Sequence, residues 1–282
     1  METYCFCIAG ITVRIAVDWP VRVPENFPPF FCPPTDCPQE DYTLTCSRQL
    51  PEPDGPVRWD SVGNGRASRQ GIPLLLRRLS RKLPPYYGEL VYPDHRACCY
   101  TPGELPLDMD KVFRGLPFED LLLRRGAMIL HCSLVRWQNT AILFSAPSGT
   151  GKSTQAELWE RYAMSETLNG DRAILRKAGD RWTAWGLPMA GSSDIFRNES
   201  APIRALVMLK QGPENEISRL SVPQALRLVY PELSLFRHDS EKMEKSMDLI
   251  LNFLEQVPAY CLSCRPDREA VELLRRTLTT EV

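Results

Sequence analysis

The sequence predicts an α/β domain preceded by a smaller, mainly β part. Three observations carry that prediction. Apolar strand-like runs alternate with helical patterns through residues 116–282. Within that stretch LFSAPSGTGKST, residues 143–154, reads as a strand, a glycine-bearing loop and the start of a helix. Residues 1–115 instead hold short alternating runs broken by proline-dense stretches such as PENFPPFFCPPTDCPQ and LPEPDGP. The division expected is therefore 1–115, a mainly β domain with a possible role in substrate recognition, and 116–282, the nucleotide-binding domain.

The bulk numbers exclude several classes. A chain of 282 residues is long enough for a sizeable core. A formal net charge of −1 provides no global basic field for nucleic acid. The apolar runs CFCIAGITV, AMIL and AILF are much shorter than the roughly 20 residues that span a bilayer, and Glu2 stands where a secretory leader would be basic. We expect no nucleic-acid partner, no membrane and a cytoplasmic location, with homo-oligomerisation left open. The ten cysteines, in a long chain without an export signal, are read as buried thiols rather than a disulfide frame. Cys261-Leu-Ser-Cys264 has the spacing of a zinc half-site or redox pair, but AYCLSC reads more simply as a terminal strand.

Element by element, ITVRIAV, GELVY and ACCYT are short strands, and LLLRRLSRKL is a basic helix or another strand. PFEDLLLRRG is a short helix stopped at Gly126. MILHCSLV and TAILFSA are two strands joined by the turn WQN. A helix over KSTQAELWERY follows the loop, then a strand-type segment ETLNGDRAILR, then the strands DRWTAWGLP and IRALVML. Residues 222–232 and 239–256 are helical; in the second, Met243, Met247, Ile250, Leu251 and Leu254 form one apolar stripe. AYCLSC is the last strand and PDREAVELLRRTL the last helix, with Pro266 suited to its first turn.

The loop comprises Ala146, Pro147, Ser148, Gly149, Thr150, Gly151, Lys152, Ser153 and Thr154, with Ala146 where the usual G-x-x-x-x-G-K-[ST] pattern has its first glycine. Gly149 and Gly151 let backbone N–H groups turn towards phosphate oxygens, and the helix adds its positive end. Lys152 neutralises the β- and γ-phosphates, and the Ser153 hydroxyl is placed for Mg²⁺. Motors and switches add an acid at the end of a later apolar strand. Here that strand, Ile203 to Leu209, runs into Lys210. The acid comes early instead, as Asp171 in LNGDRAIL, after room for one helix, a turn and a return strand. Asp171 is thus the candidate beside the γ-phosphate, as catalytic base and as a second metal ligand with Ser153. His131, on the strand before the loop strand, is the third catalytic candidate, to orient a carboxylate or relay a proton. His95 and His238 have no such context and are taken as structural. Gly191, Ser192 and Ser193, in PMAGSS, are candidates for contact with the acceptor; Arg197 and Arg204 are weaker candidates as phosphate clamps.

Together these residues resemble the HPr kinase/phosphorylase group, which shares its nucleotide-binding core with phosphoenolpyruvate carboxykinase. The segments LHCSLV, ILFSAPSGTGKSTQAELW, LNGDRA, WGLPMAGSS, RNESAPIRALVMLKQ and ENEISRLS are similar to a branch found beside bacterial peptide-modification genes. The resemblance covers residues 115–282 and implies a core of mixed sheet with flanking helices. It also implies ATP and Mg²⁺ as cofactors, Lys152 as the phosphate lysine, Ser153 as the magnesium hydroxyl, Asp171 as the base and His131 as the active-site histidine. The departures are specific. A second adjacent acid is replaced by Arg172, and Thr183-Ala-Trp-Gly186-Leu-Pro lacks the group's magnesium glutamate. The loop linked to dephosphorylation is not recognisable. HPr itself as acceptor and the reverse reaction are therefore not carried over, and nor is decarboxylation. The leading expectation is a kinase acting on a Ser or Thr hydroxyl of a peptide or small protein, such as a ribosomal peptide precursor. The alternatives are a small-molecule hydroxyl kinase and a nucleotide-binding maturation or recognition factor that does no chemistry.

Overall fold

A computed structural model describes residues 2–33, 40–47, 53–59, 64–69, 72–77, 87–91, 96–100, 107–115, 118–191, 193–235 and 240–280. The chain divides into two compact units, Met1–Phe118 and Glu119–Val282.

The first unit is mainly β. Its strands are β1 (Glu2–Ile8), β2 (Ile11–Val17), β3 (Val21–Arg22), β4 (Glu40–Ser47), β5 (Arg58–Trp59), β6 (Asn64–Arg69), β7 (Ile72–Arg77), β8 (Tyr87–Val91), β9 (Arg96–Tyr100) and β10 (Leu107–Asp108). All but β3 and β10 form one sheet in the order β1-β2-β4-β9-β8-β7-β6-β5, and β3 pairs β10. β1 and β2 form a hairpin closed by Ala9 and Gly10, both at positive φ (52° and 70°). ITVRIAV alternates as expected, its odd-numbered residues Ile11 to Val17 buried. Phe6, Phe27, Phe113 and Phe118 cluster edge-on or tilted, with Phe6 and Phe113 centroids 4.8 Å apart; Phe113 comes from α1 (Met109–Gly115). Of LLLRRLSRKL, the part up to Arg77 is strand β7 and the rest lies outside the described residues. His95 and His238 also lie outside them.

The second unit is the α/β domain. It starts inside α2 (Phe118–Arg124), whose first residue closes the first unit; the helix stops at Gly126 (φ 65°), whose N–H donates to Leu123 O. Then come β11 (Ala127–Trp137), β12 (Thr140–Ser145), α3 (Lys152–Ala163), β13 (Glu166–Asn169), β14 (Arg172–Ala178), β15 (Arg181–Trp185), β16 (Ser200–Gln211), β17 (Glu216–Arg219), α4 (Val222–Val229), α5 (Ser240–Gln256), β18 (Ala259–Cys264) and α6 (Arg268–Thr280). The sheet order is β12-β11-β14-β15-β16-β18-β17, with β12 also pairing β16. β12–β16 and β16–β18 are parallel and the other pairs antiparallel, so the sheet is mixed. The expected fold class, a mixed sheet with flanking helices after a smaller β region, is the one observed.

Strand alternation builds two cores. Leu143, Leu206, Met208 and Ala259 face α4 and α5 through Ala225, Val229, Ile250, Phe253 and Leu254. Ile142, Phe144, Val207, Tyr260 and Leu262 face α3 and α6 through Ala156, Trp159, Val271, Leu274 and Leu278. Trp159 is fully buried and meets Trp137 edge-on at 5.3 Å. Trp159→Ala is expected to destabilise the domain by about 3–5 kcal/mol, read as a lower urea midpoint at unchanged m.

Four expectations change in detail. The buried stripe of α5 is Ser246, Ile250, Phe253 and Leu254, while Met243, Met247 and Leu251 are half-buried at its margin. Residues 222–232 are α4 followed by a short 3-10 turn, Tyr230–Glu232. Pro266 lies before α6 rather than in its first turn; Asp267 caps that helix by accepting from Ala270 N at 3.0 Å. ETLNGDRAILR is broken into β13 and β14 at Gly170–Asp171. The cause is local: Asn169 Oδ1 accepts from both Asp171 N and Arg172 N at 2.9 Å, a side-chain turn that competes with the ladder.

No helix among the described residues is long and apolar enough to cross a membrane. No disulfide joins the six cysteines whose side chains are described. Cys261 and Cys264 stand three apart on β18, so they face opposite sides of the strand and cannot share a metal.

Candidate phosphate-binding and transfer site

The site forms where β11 changes partners. Its first half, Ala127–His131, pairs with β14, and its second half, Cys132–Trp137, pairs with β12. β12 ends opposite Cys132, at Ser145, and the chain leaves there as the phosphate loop. In the position β12 vacates, Leu233 bridges Leu130 and Ser234 N donates to Ile129 O at 3.1 Å. Three chain segments therefore converge on His131: the loop, the β13–β14 turn and the 3-10 turn that ends in Glu232.

The loop has the backbone its glycines require. Gly149 and Gly151 sit at φ 81° and 114°, conformations that a side chain would strain. Ala146 is fully buried beneath the loop, whereas Pro147, Ser148 and Gly149 are exposed and Thr150 and Gly151 half-exposed. Lys152 opens α3 and is 7 % exposed; its ammonium donates back to Ala146 O at 2.8 Å. Burial holds its pKa below the ordinary lysine value, opposed by the charges of Glu232 and Asp171. Lys152 thus lies within electrostatic reach of both carboxylates. Ser153 and Thr154 are exposed in the first turn of α3. Gln211, at the end of β16, brings its amide to 3.4 Å from Thr150 O.

Asp171 sits in the β13–β14 turn, held through its backbone. Cys132 N donates to Asp171 O at 3.0 Å, and Ser133 Oγ donates to Gly170 O at 3.1 Å. Its carboxylate faces His131 Nε2 at 3.6 Å and Arg172 Nε at 3.1 Å. His131 in its protonated form has the largest influence and lowers its pKa; burial opposes this, and the Arg172 guanidinium lowers it further. At 3.6 Å the approach of His131 is longer than a formed hydrogen bond. Behind the site, the Cys132 thiol is pushed well above its ordinary range by burial, which makes it an inert part of the floor.

The loop after β15 closes one side. The fully buried Asn169 amide donates to Leu187 O at 2.8 Å and Met189 O at 3.2 Å, so one side chain holds this loop and the Asp171 turn together. Gly191 has φ +59°, and a Cβ there would stand 2.7 Å from Asp171 Cγ. Ser193 turns inward, donating from Oγ to Ala190 O at 2.7 Å, and packs on Gly170. Ser192 lies outside the described residues. Arg197 and Arg204 have other partners. Arg197 pairs with Glu166 in a network that includes Arg136 and Glu199, and Arg204 lies over the Trp137 ring and donates to Leu278 O.

Sequence reasoning missed Glu232, Asn169 and Gln211. Glu232 accepts from His131 Nδ1 at 2.9 Å and its side chain is 8 % exposed. It comes from YPEL, a segment with no motif, and only the bridge of Leu233 to β11 brings it in.

No family model matches the sequence, and no curated protein matches it. Among solved structures the chain is similar to the HPr(Ser) kinase/phosphatase from Coxiella burnetii, with 11% identity and a TM-score of 0.32 over 54% of this chain and 88% of that one.

For a divalent ion, the donor set is sparse. Among the described residues no group of three or more His, Cys, Asp or Glu side chains is placed to hold a metal. The exposed Ser153 hydroxyl and the Asp171 carboxylate fit magnesium, which takes one or two protein oxygens and completes its shell with phosphate oxygens and water.

Proposed function

We propose that this chain is an ATP- and magnesium-dependent kinase of the HPr-kinase type, transferring the γ-phosphoryl group to a Ser or Thr hydroxyl of a peptide or small protein. What supports the reading is one observation: the turn that carries Asp171 is bonded to Cys132, and Cys132 pairs with Ser145, the last strand residue before the loop whose Lys152 donates back to Ala146 O.

In this reading the loop N–H groups and the end of α3 hold the phosphates, and Lys152 turns from Ala146 O to the terminal phosphate. Asp171 accepts the proton of the acceptor hydroxyl. As that oxygen bonds to the γ-phosphorus, the bond from phosphorus to the bridging oxygen breaks and ADP departs. Ser153 and Asp171 would hold magnesium, which would supply charge neutralisation at the β- and γ-phosphates. Gly191 lets the loop backbone pack directly against the carboxylate, where any side chain would collide with it.

The test is incubation with Mg-ATP and a library of Ser- and Thr-containing peptides, read as a mass gain of one phosphate. A second reading, a nucleotide-binding maturation factor, draws on the pairing of Arg172 with Asp171, which ties up one carboxylate oxygen. Tight Mg-ATP binding with no peptide modified favours that reading over the kinase.

Gly191→Ala provides a local check. The added methyl would displace the Asp171 carboxylate, so turnover is expected to fall about 10²-fold while calorimetric nucleotide affinity holds. Unchanged turnover would contradict the role given to that carboxylate.

A further inference from the structure

His131 lies between two carboxylates at unequal distances: Nδ1 is 2.9 Å from Glu232 Oε2, and Nε2 is 3.6 Å from Asp171 Oδ1. The shorter contact is a hydrogen bond, and a carboxylate can only accept, so Nδ1 carries the proton. In the neutral ring Nε2 then bears the lone pair, turned towards Asp171. Two acceptors facing each other stand apart, which accounts for the longer distance.

We propose that Glu232 is a positioning residue that fixes His131 in the Nδ1–H tautomer, so that Nε2 receives the proton Asp171 takes from the acceptor. The proton leaves Asp171 Oδ1 as its O–H bond breaks and an N–H bond forms at Nε2. Asp171 returns to the carboxylate, and the imidazolium lies between two negative groups. The arrangement that holds a catalytic histidine in one tautomer through a carboxylate at its other nitrogen is general. Here it is built from a distant segment. Leu233 and Ser234 pair with Leu130 and Ile129 at the edge that β12 leaves free, which aims the side chain of Glu232 along β11 at the ring. Ser145 Oγ, donating to His131 O at 2.8 Å, fixes the backbone from the other strand. Glu232 is also within electrostatic reach of Lys152.

The tautomer stands on this geometry alone, whereas its catalytic use rests on the kinase reading. The experiment therefore has two readouts. The chain has three histidines, and ¹⁵N-histidine spectra at alkaline pH, where imidazoles are neutral, report the tautomer, His131 being assigned by the signal that His131→Gln removes. The wild type is expected to hold the proton on Nδ1. Glu232→Leu loses that preference and lowers kcat about 10²-fold with KM for Mg-ATP unchanged. Glu232→Gln keeps an acceptor for Nδ1–H, retains the tautomer and recovers most of the rate. A wild-type proton on Nε2, or a Glu232→Leu spectrum with the wild-type tautomer, overturns the proposal. So does full turnover in Glu232→Leu. Should Glu232→Leu fail to fold, the wild-type and Glu232→Gln spectra decide. If no phosphotransfer is found in any variant, the kinase reading fails while the spectra still judge Glu232.

Discussion

Asp171→Asn is expected to bind Mg-ATP like the wild type and to transfer almost nothing, with turnover lower by roughly 10²–10⁴-fold. The amide keeps the shape of the carboxylate and an oxygen for the metal, but it cannot take a proton. The backbone that positions residue 171 does not depend on its side chain: Asn169 Oδ1, Cys132 N and Ser133 Oγ hold the turn. The loss should therefore be one of chemistry. Single-turnover kinetics with calorimetry on the same preparation checks this, and full turnover would remove Asp171 from its assigned role. Stability gives an internal control. The folded pKa of Asp171 lies below its ordinary 3.8, so its ionised form favours the fold. That contribution is present above the ordinary value and is lost as pH falls through the lower folded value. The stability gap between wild type and variant should close in that acidic window and persist at neutral pH.

Lys152→Ala has the second large effect, on binding. A charge-assisted contact to phosphate contributes about 1.5–3 kcal/mol, so the Kd for Mg-ATP should rise on the order of 10- to 100-fold. Burial already disfavours the charged form of Lys152 in the free protein, and one carbonyl, Ala146 O, is its main partner. The ammonium is thus held ready beneath the loop at some cost to the fold. Isothermal calorimetry gives the affinity, and a melting curve shows that the variant remains folded. Unchanged affinity would count against the loop as the phosphate site.

Much of this was legible in the sequence because the signals were local. The loop, its glycines and the helix behind it depend on adjacent residues, as does the hairpin turn at Gln138 and Asn139, both at positive φ. What was hidden depends on pairing between distant segments. Nothing in YPEL announces that Leu233 will bridge Leu130 and bring Glu232 to His131. Asn169 looked like an ordinary strand residue in ETLNGDRAILR. Its four hydrogen bonds, two to the Asp171 turn and two to the loop after β15, became visible only once that loop folded back over β13. Arg197 and Arg204, weak candidates from charge type alone, have Glu166 and the Trp137 ring as partners that the sequence did not announce.

The most direct test is a crystal structure with magnesium and a non-hydrolysable ATP analogue. Lys152 Nζ is predicted to leave Ala146 O and bind the γ-phosphate, with the Asp171 carboxylate facing the same group from the Gly191 side. A γ-phosphate turned away from Asp171, with Lys152 still bonded to its own loop, would contradict the account.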